Sequence, residues 1–388
     1  MSKTSCSCIV LLAFSLMSSF MVMPYLISTL APGVGISVNG MTWGLGICNG
    51  VAALTLYIRP SFRRAGWLLA AIMALMIVGT SLILVGMKSY LPWVLIVGVA
   101  MMRIALVNYS DFNRQAHMQT NTERGIRQAL SAANVVSNII SCTVPLAAVF
   151  ILQKWGASAL VNMAVFFSLC CATLGLLLFG RQATLTNIVV SGKPSPGNTA
   201  RRFLKHMPLY LITLINSVIF AFIYSYIPLR LTDIPDVGQK YIAFYFTINS
   251  LVVAFFSFPI MNIIEKLSPD KKTIIILSSL LSLLSIFIFY GYNGNIYRVI
   301  FSSSLMAISE IMFLPFVVSL VASRESTEKE MIIRDITLIS VSLSATLSSP
   351  MAGLIYQGGE AALVAFLIVS STIVVIASKK LGENPHEK

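Results

Sequence analysis

Two charged residues stand inside long apolar stretches of this sequence, and they are its main candidates for chemistry. Arg103 lies in the run Met-Met-Arg-Ile-Ala, and Glu310 lies in the run Ile-Ser-Glu-Ile-Met. A carboxylate there can bind a proton or a cationic substrate, whereas a guanidinium suits carboxylate and phosphate groups. Because an ionisable side chain at bilayer depth costs at least about 2.5–3.5 kcal/mol on insertion scales, both are functional candidates by default.

The apolar stretches have the length of membrane-spanning helices. A bilayer core about 30 Å thick needs about 20 helical residues, and in hydrocarbon only a helix or a closed barrel satisfies its own backbone. The stretches lack the alternation of barrel strands, so we predict an all-α polytopic membrane protein with twelve transmembrane helices. The predicted spans are 7–29, 39–58, 65–87, 91–112, 128–151, 157–180, 207–229, 239–262, 272–292, 296–322, 333–355 and 361–379.

Composition and charge agree with a membrane protein. Of the 388 residues, 57% are hydrophobic and only 11% are charged, where a soluble domain carries about 25% charged residues. The net charge of +13 is spread over many short joints, which is typical of juxtamembrane lysine and arginine and not of a nucleic-acid-binding surface. Since the basic residues concentrate on alternate joints, we predict a multi-pass protein of the cytoplasmic (inner) membrane with both termini in the cytoplasm.

Several landmarks recur at one offset, which indicates an internal duplication. Pro24 matches Pro228 and Pro145 matches Pro350, and a Thr-Glu-basic triplet recurs as well, each time 204 or 205 positions apart. Transporter folds are often built from internally related halves. We therefore predict two six-helix pseudo-repeats. The predicted parts are an N-terminal six-helix bundle over 1–180, a cytoplasmic linker over 181–206 and a C-terminal six-helix bundle over 207–388.

With this duplication the sequence resembles the major facilitator superfamily over essentially its whole length. The resemblance rests on Met-Pro-Tyr-Leu at 23–26, Gly-Ile-Ser at 35–37, Glu-Arg-Gly at 123–125, then Pro145 and Trp-Gly at 155–156. It implies two bundles around a central cavity lined mainly by the first, fourth, seventh and tenth helices, and alternating access. The compact length and the sparse cavity charge resemble the proton-driven exporters of that superfamily, its drug/proton antiporter branch.

One departure from the superfamily's pattern suggests a gate. In its signature between spans two and three, Arg64 and Gly66 fit, but Arg63 stands where the family has an acid. That acid commonly pairs with a base on span four, and here span four carries Asp111 instead. We predict that Arg63 or Arg64 pairs with Asp111 at the cytoplasmic side when the transporter faces outward. The alternative is a local pair with Arg114, worth about 0.2–0.5 kcal/mol.

The equivalent run in the second half keeps an acid followed by a base, Glu265 and Lys266. We assign both to the same cytoplasmic gate. The exporter motif of the fifth helix, a Gly-Pro pair with flanking glycines, is reduced here to Val144 and Pro145, so the exporter assignment does not rest on that motif.

Spans four and ten are counterparts under the repeat, and they face each other across the cavity in the resembled fold. We predict that Glu310 and Arg103 serve proton coupling or substrate binding there, and that Asn108 and Asn216 line the cavity. The alternatives are a fixed ion pair between the two charges, and asparagines that only join helices by hydrogen bonds.

These features favour a secondary active transporter that exports a small amphipathic molecule by proton-coupled alternating access. The alternative is a proton-coupled importer of a small anionic metabolite that uses Arg103. A membrane receptor that transports nothing is a third, less favoured interpretation.

We do not expect an enzyme. The chain has no Gly-x-x-x-x-Gly-Lys-[Ser/Thr] loop, and its histidines, His117, His206 and His386, have no partners in a nucleophilic or metal-binding pattern. The six cysteines show neither metal-ligand spacing nor a disulfide framework. The expected partners are therefore a small-molecule substrate, protons and the lipid bilayer, with no cofactor, metal or nucleic acid, and the fold functions as a monomer.

Overall fold

The computed structural model describes residues 2–58, 65–120, 123–179, 196–232, 238–267, 270–290, 295–324, 332, 335–336 and 338–381. Within these ranges the chain is helical apart from short turns, which confirms the predicted all-α class. The helices are α1 (Lys3–Tyr25), α2 (Ala31–Gly33), α3 (Val38–Ile58), α4 (Ala65–Lys88), α5 (Pro92–Thr120), α6 (Glu123–Phe179), α7 (Pro196–Thr232), α8 (Gly238–Leu267), α9 (Lys271–Tyr290), α10 (Ile296–Arg324) and α11 (Ser344–Leu381).

Nine stretches of the described residues are long and apolar enough to cross a membrane, which supports a multi-pass membrane protein. The two longest, Val135–Phe179 with 45 residues and Ser344–Lys380 with 37 residues, exceed the roughly 20 residues that one crossing needs. Each is interrupted at one glycine. Gly156 has φ 79° and ψ 177°, and Gly359 has φ 64° and ψ −148°; side chains other than that of glycine are disfavoured in these conformations.

Two π-helical segments lie within the described part of the chain. Leu26–Leu30 follows α1 shortly after Pro24, and Ile339–Leu343 precedes α11. Proline lacks the N–H that continues a regular helix, so a change of hydrogen-bond register close to Pro24 is expected. The first turn of α1 is capped by Ser2, whose Oγ accepts a hydrogen bond from the Ser5 backbone N–H at 3.1 Å.

The chain divides into two compact units, Met1–Lys193 and Pro194–Lys388. In the first unit, α1 packs along α6, α4 along α5, α3 against α5, and α4 against α6. In the second unit, α7 packs along α11, α9 along α10, α8 against α10, and α9 against α11. When the long helices of each unit are counted in chain order, the two units therefore share these four helix pairs.

Glycines allow the backbones of α4 and α5 to touch. A Cβ atom on Gly98 would lie 2.7 Å from both the Gly79 carbonyl oxygen and the Ile83 backbone nitrogen. A Cβ atom on Gly86 would lie 2.6 Å from the Leu95 backbone nitrogen. Small residues permit this close approach of membrane helices. Gly98 precedes Arg103 by five positions on α5, so this close contact lies on the helix that carries Arg103.

Candidate functional site

Arg103 lies half-buried on α5, where its guanidinium is held by an amide of the neighbouring helix. Its Nε–H donates a hydrogen bond to Oδ1 of Asn49 on α3. Within the described residues of its own unit, this is the one hydrogen bond that the guanidinium makes, and no described carboxylate forms an ion pair with it. Four of the five N–H donors that arginine carries therefore have no protein acceptor in this part of the chain.

Asn108 lies buried on α5, about one and a half turns beyond Arg103. Its Nδ2 donates to Thr55 Oγ1 on α3 at 3.2 Å and to the Ile104 carbonyl of its own helix at 2.9 Å. Asn108, like Arg103, thus has a side-chain contact across the seam between α3 and α5 and contributes to joining these helices.

In the second unit, Glu310 is exposed on α10, while the residues on either side of it, Ser309 and Ile311, are buried. No hydrogen bond or ion pair from the described residues of this unit engages its carboxylate. The buried Ser309 Oγ donates to the Ser278 carbonyl of α9 at 2.6 Å. The helix that carries the carboxylate is therefore attached to its neighbour directly beside the charged residue.

An aromatic pair lies within range of this carboxylate. Tyr224 of α7 is close enough to Glu310 to interact with its charge, and its side chain is 49% exposed. The Tyr224 ring stacks on the Phe246 ring of α8, with centroids 5.0 Å apart and planes inclined by 16°. Glu310 and Tyr224 together present a carboxylate and a partly exposed aromatic ring in the second unit.

Asn216 is fully buried on α7 and joins that helix to α9. Its Nδ2 donates to Ser279 Oγ, and its Oδ1 accepts from Ser282 Oγ at 3.3 Å. These contacts join two helices, which is the alternative role that the sequence analysis gave for the asparagines.

Sequence reasoning missed the serines of α9. Ser278, Ser282 and Ser285 are fully buried and are spaced four and three residues apart. This spacing puts small polar residues on one helical face, which is a known pattern of helix association in membranes. The serine spacing was therefore visible in the sequence, although it indicates helix packing and not a binding site.

The predicted cytoplasmic gate lies partly outside the described residues, which do not include Arg63 and Arg64. Asp111 is buried near the end of the membrane-spanning part of α5. Lys266 is exposed in the last turn of α8, next to Glu265 in the sequence. The pairing across the gate stays a prediction.

Beyond the apolar part of α5, a histidine joins this helix to the start of α1. The Nδ1 atom of His117 lies 2.9 Å from Ser5 Oγ. His117 is fully buried, and this burial lowers the pKa of its imidazole below the ordinary value of 6.5. We find no cluster of three or more His, Cys, Asp or Glu side chains among the described residues that suits a metal ion.

No family model and no curated protein matches this sequence, but its fold has close counterparts among solved structures. One is a POT family transporter in complex with 5-aminolevulinic acid, with a TM-score of 0.73 and 14% identity over 98% of this chain and 96% of that chain. Another is a peptide transporter POT in complex with sulfate, with a TM-score of 0.74 and 10% identity over 98% of this chain and 95% of that chain. These similarities do not support the drug/proton antiporter branch in particular. At such identities they establish the fold: this chain has the fold of the major facilitator superfamily, as its sequence resemblance implied.

Proposed function

We propose that this protein is a secondary active transporter that imports a small carboxylate-bearing solute together with protons by alternating access. The observation that carries the proposal is the pair of unneutralised charges, one in each unit. Arg103 and Glu310 have no opposite charge within the described residues of their own units. Because such charges are costly at bilayer depth, they are retained for solute or ion binding.

The chemistry of the solute favours the import interpretation over efflux of an amphipathic molecule. The solved transporters of the same fold were bound to 5-aminolevulinic acid and to a thioalcohol-conjugated peptide. 5-Aminolevulinic acid carries a carboxylate, and a guanidinium is well suited to a carboxylate. An importer of an anionic metabolite, in which Arg103 binds the carboxylate of the solute, fits these ligands better than an exporter of an amphipathic molecule does.

We further propose that the chain crosses the membrane twelve times, in two six-helix repeats. The interruptions at Gly156 and Gly359 split α6 and α11 into two segments each and lie 203 positions apart. That separation is close to the offset of 204 or 205 that relates the sequence landmarks. The matching helix pairs of the two units support the same repeat.

In this mechanism Arg103 binds the carboxylate of the solute, and Glu310 binds and releases the coupling proton. The Tyr224 ring offers an apolar surface beside Glu310. Asn108 and Asn216 hold the helices that carry these groups. The cytoplasmic gate of Arg63 or Arg64 with Asp111, together with Glu265 and Lys266, is proposed to close when the transporter faces outward.

Transport by the purified full-length protein in proteoliposomes tests the proposal. Vesicles that are alkaline inside should accumulate radiolabelled 5-aminolevulinic acid or dialanine, and collapse of the proton gradient with an ionophore should stop the accumulation. Empty vesicles provide the control. Vesicles that show no gradient-dependent flux of either solute, but in which a proton gradient drives movement of a cationic dye, would favour the exporter instead.

A further inference from the structure

We infer that Asn49 is a positioning residue that makes Arg103 bind its anion end-on, through the two terminal amino groups of the guanidinium. The inference rests on the proposed function to the extent that Arg103 is the anion site. The contact that carries it is the hydrogen bond from Arg103 Nε–H to Asn49 Oδ1, which crosses from α5 to α3.

A guanidinium can hold two oxygens of a planar anion on either of two kinds of edge. The lateral edge uses Nε and one terminal nitrogen, and the end edge uses Nη1 and Nη2. Asn49 occupies Nε, so the lateral edge next to it cannot receive a carboxylate. The end edge remains for the ligand, which therefore approaches from the tip of the side chain.

Contacts on both sides of Asn49 hold the two helices in place. Before it in the chain, the Cys48 thiol donates to the Ile96 carbonyl of α5 at 3.6 Å. Beyond it, Thr55 Oγ1 accepts a hydrogen bond from Asn108 Nδ2 at 3.2 Å. A side chain that is already oriented loses less conformational freedom when its ligand binds, and this raises affinity. Asn49 thus fixes the plane of the Arg103 guanidinium before the anion arrives.

The two-point geometry sets a preference among anions. Carboxylate and sulfate groups each offer two oxygens to the paired terminal amino groups, whereas chloride offers a single point of contact. We therefore expect Arg103 to prefer oxyanions to chloride, and this preference should depend on Asn49.

The test measures ligand-induced thermal stabilisation of the purified full-length protein in lipid nanodiscs, with 5-aminolevulinic acid, sulfate and chloride as the probes. Asn49→Ala should bind both oxyanions about tenfold more weakly, which is the scale of one hydrogen bond to a charged group. Asn49→Asp should lose oxyanion binding, since its carboxylate pairs with the guanidinium and cancels the charge. Thr42→Val is the matched control, because the Thr42 hydroxyl is buried on the same helix and, among the described residues, bonds only to the Asn39 carbonyl of α3.

The preference for oxyanions over chloride separates positioning from a structural role. If Asn49 only stabilised the fold, Asn49→Ala would lower the melting temperature of the ligand-free protein and would keep the wild-type preference for oxyanions over chloride. That result, or wild-type affinity in Asn49→Ala, overturns the inference, as does a wild type that neither oxyanion stabilises beyond chloride. If binding follows the expected order but proteoliposomes show no proton-driven uptake, the positioning role stands and the proposed transport function fails.

Discussion

Ser285 and Ser302 exchange hydrogen bonds between α9 and α10. The Ser285 hydroxyl donates to the Ser302 carbonyl at 2.7 Å, and the Ser302 hydroxyl donates to the Ser285 carbonyl at 2.9 Å. Further along α10, Ser309 donates to the Ser278 carbonyl at 2.6 Å. The helix that carries Glu310 is thus attached to α9 at two levels.

This seam should be sensitive to side-chain volume. Ser302→Ala removes one hydroxyl and should cost about 0.6 kcal/mol, the mean for polar contacts between membrane helices. Ser302→Leu must also separate two touching helices, so we expect an overpacking cost of about 1–3 kcal/mol. Thermal unfolding in detergent measures both. Ser304→Ala is the control, since within the described ranges that hydroxyl bonds only to the Ile300 carbonyl of its own helix. Equal melting temperatures of Ser302→Leu and wild type would contradict the close contact of α9 and α10.

A side chain at Gly98 should disrupt the first unit. Its Cβ would lie 2.7 Å from backbone atoms of α4, and backbone cannot move aside as a flexible side chain can. We expect Gly98→Val to destabilise the protein by about 1–3 kcal/mol or more and to shift Arg103, which lies on the same helix. Gly33→Ala provides the comparison, because no atom of the described residues that do not adjoin it lies within 4 Å of a Cβ atom there. Similar thermal stability of the two variants would contradict the close contact of α4 and α5.

Removal of the Glu310 charge should separate solute movement from proton movement. Glu310→Gln keeps the shape of the side chain but cannot release a proton, so accumulation driven by a proton gradient should fall to the level seen without a gradient. Exchange of labelled for unlabelled solute across the vesicle membrane should continue. Glu360→Gln, which neutralises another exposed carboxylate of the second unit, serves as the control. Full gradient-driven accumulation by Glu310→Gln would exclude Glu310 as the proton carrier.

The buried His117 predicts a pH dependence of stability. Burial lowers the pKa of this imidazole in the folded chain below 6.5, so between these two values the unfolded chain binds a proton that the folded chain excludes. Stability should therefore decrease as pH falls from about 6.5 through the folded pKa. The difference in melting temperature between about pH 7.5 and about pH 5.5 should be smaller in His117→Gln than in wild type, and an unchanged difference would show that other groups are responsible.

Charge reversal tests the predicted gate. Arg63→Asp and Asp111→Arg should each reduce transport, because each brings two like charges together. If the residues pair, the double variant restores the attraction with its signs exchanged and should recover uptake in proteoliposomes. The same experiment with Arg64 distinguishes the two arginines. A double variant that transports no better than either single variant would show that the pair does not form.

The residues differ in how far the sequence predicted their surroundings. Arg103 and Glu310 were identified by type alone, since a charge within an apolar run of this length is unusual. Asn108 and Asn216 had the same residue type in similar runs, yet their contacts differ. Asn216 bonds to serines 63 and 66 positions away, and Asn108 bonds to a threonine 53 positions away. Helical periodicity shows which residues share a face, but it does not show which helix lies opposite.

The sequence by itself determined the helical class and the membrane environment, because hydrocarbon leaves a backbone no partners outside helices and closed barrels. It also identified Arg103 and Glu310 as functional candidates, because charged side chains are costly inside a membrane. Only the tertiary structure decided that Asn49 holds Arg103, across 54 positions of chain, and that serines bind α10 to α9. These contacts depend on which helices pack together and on their rotation about their axes, and both are set by side-chain packing summed over each unit.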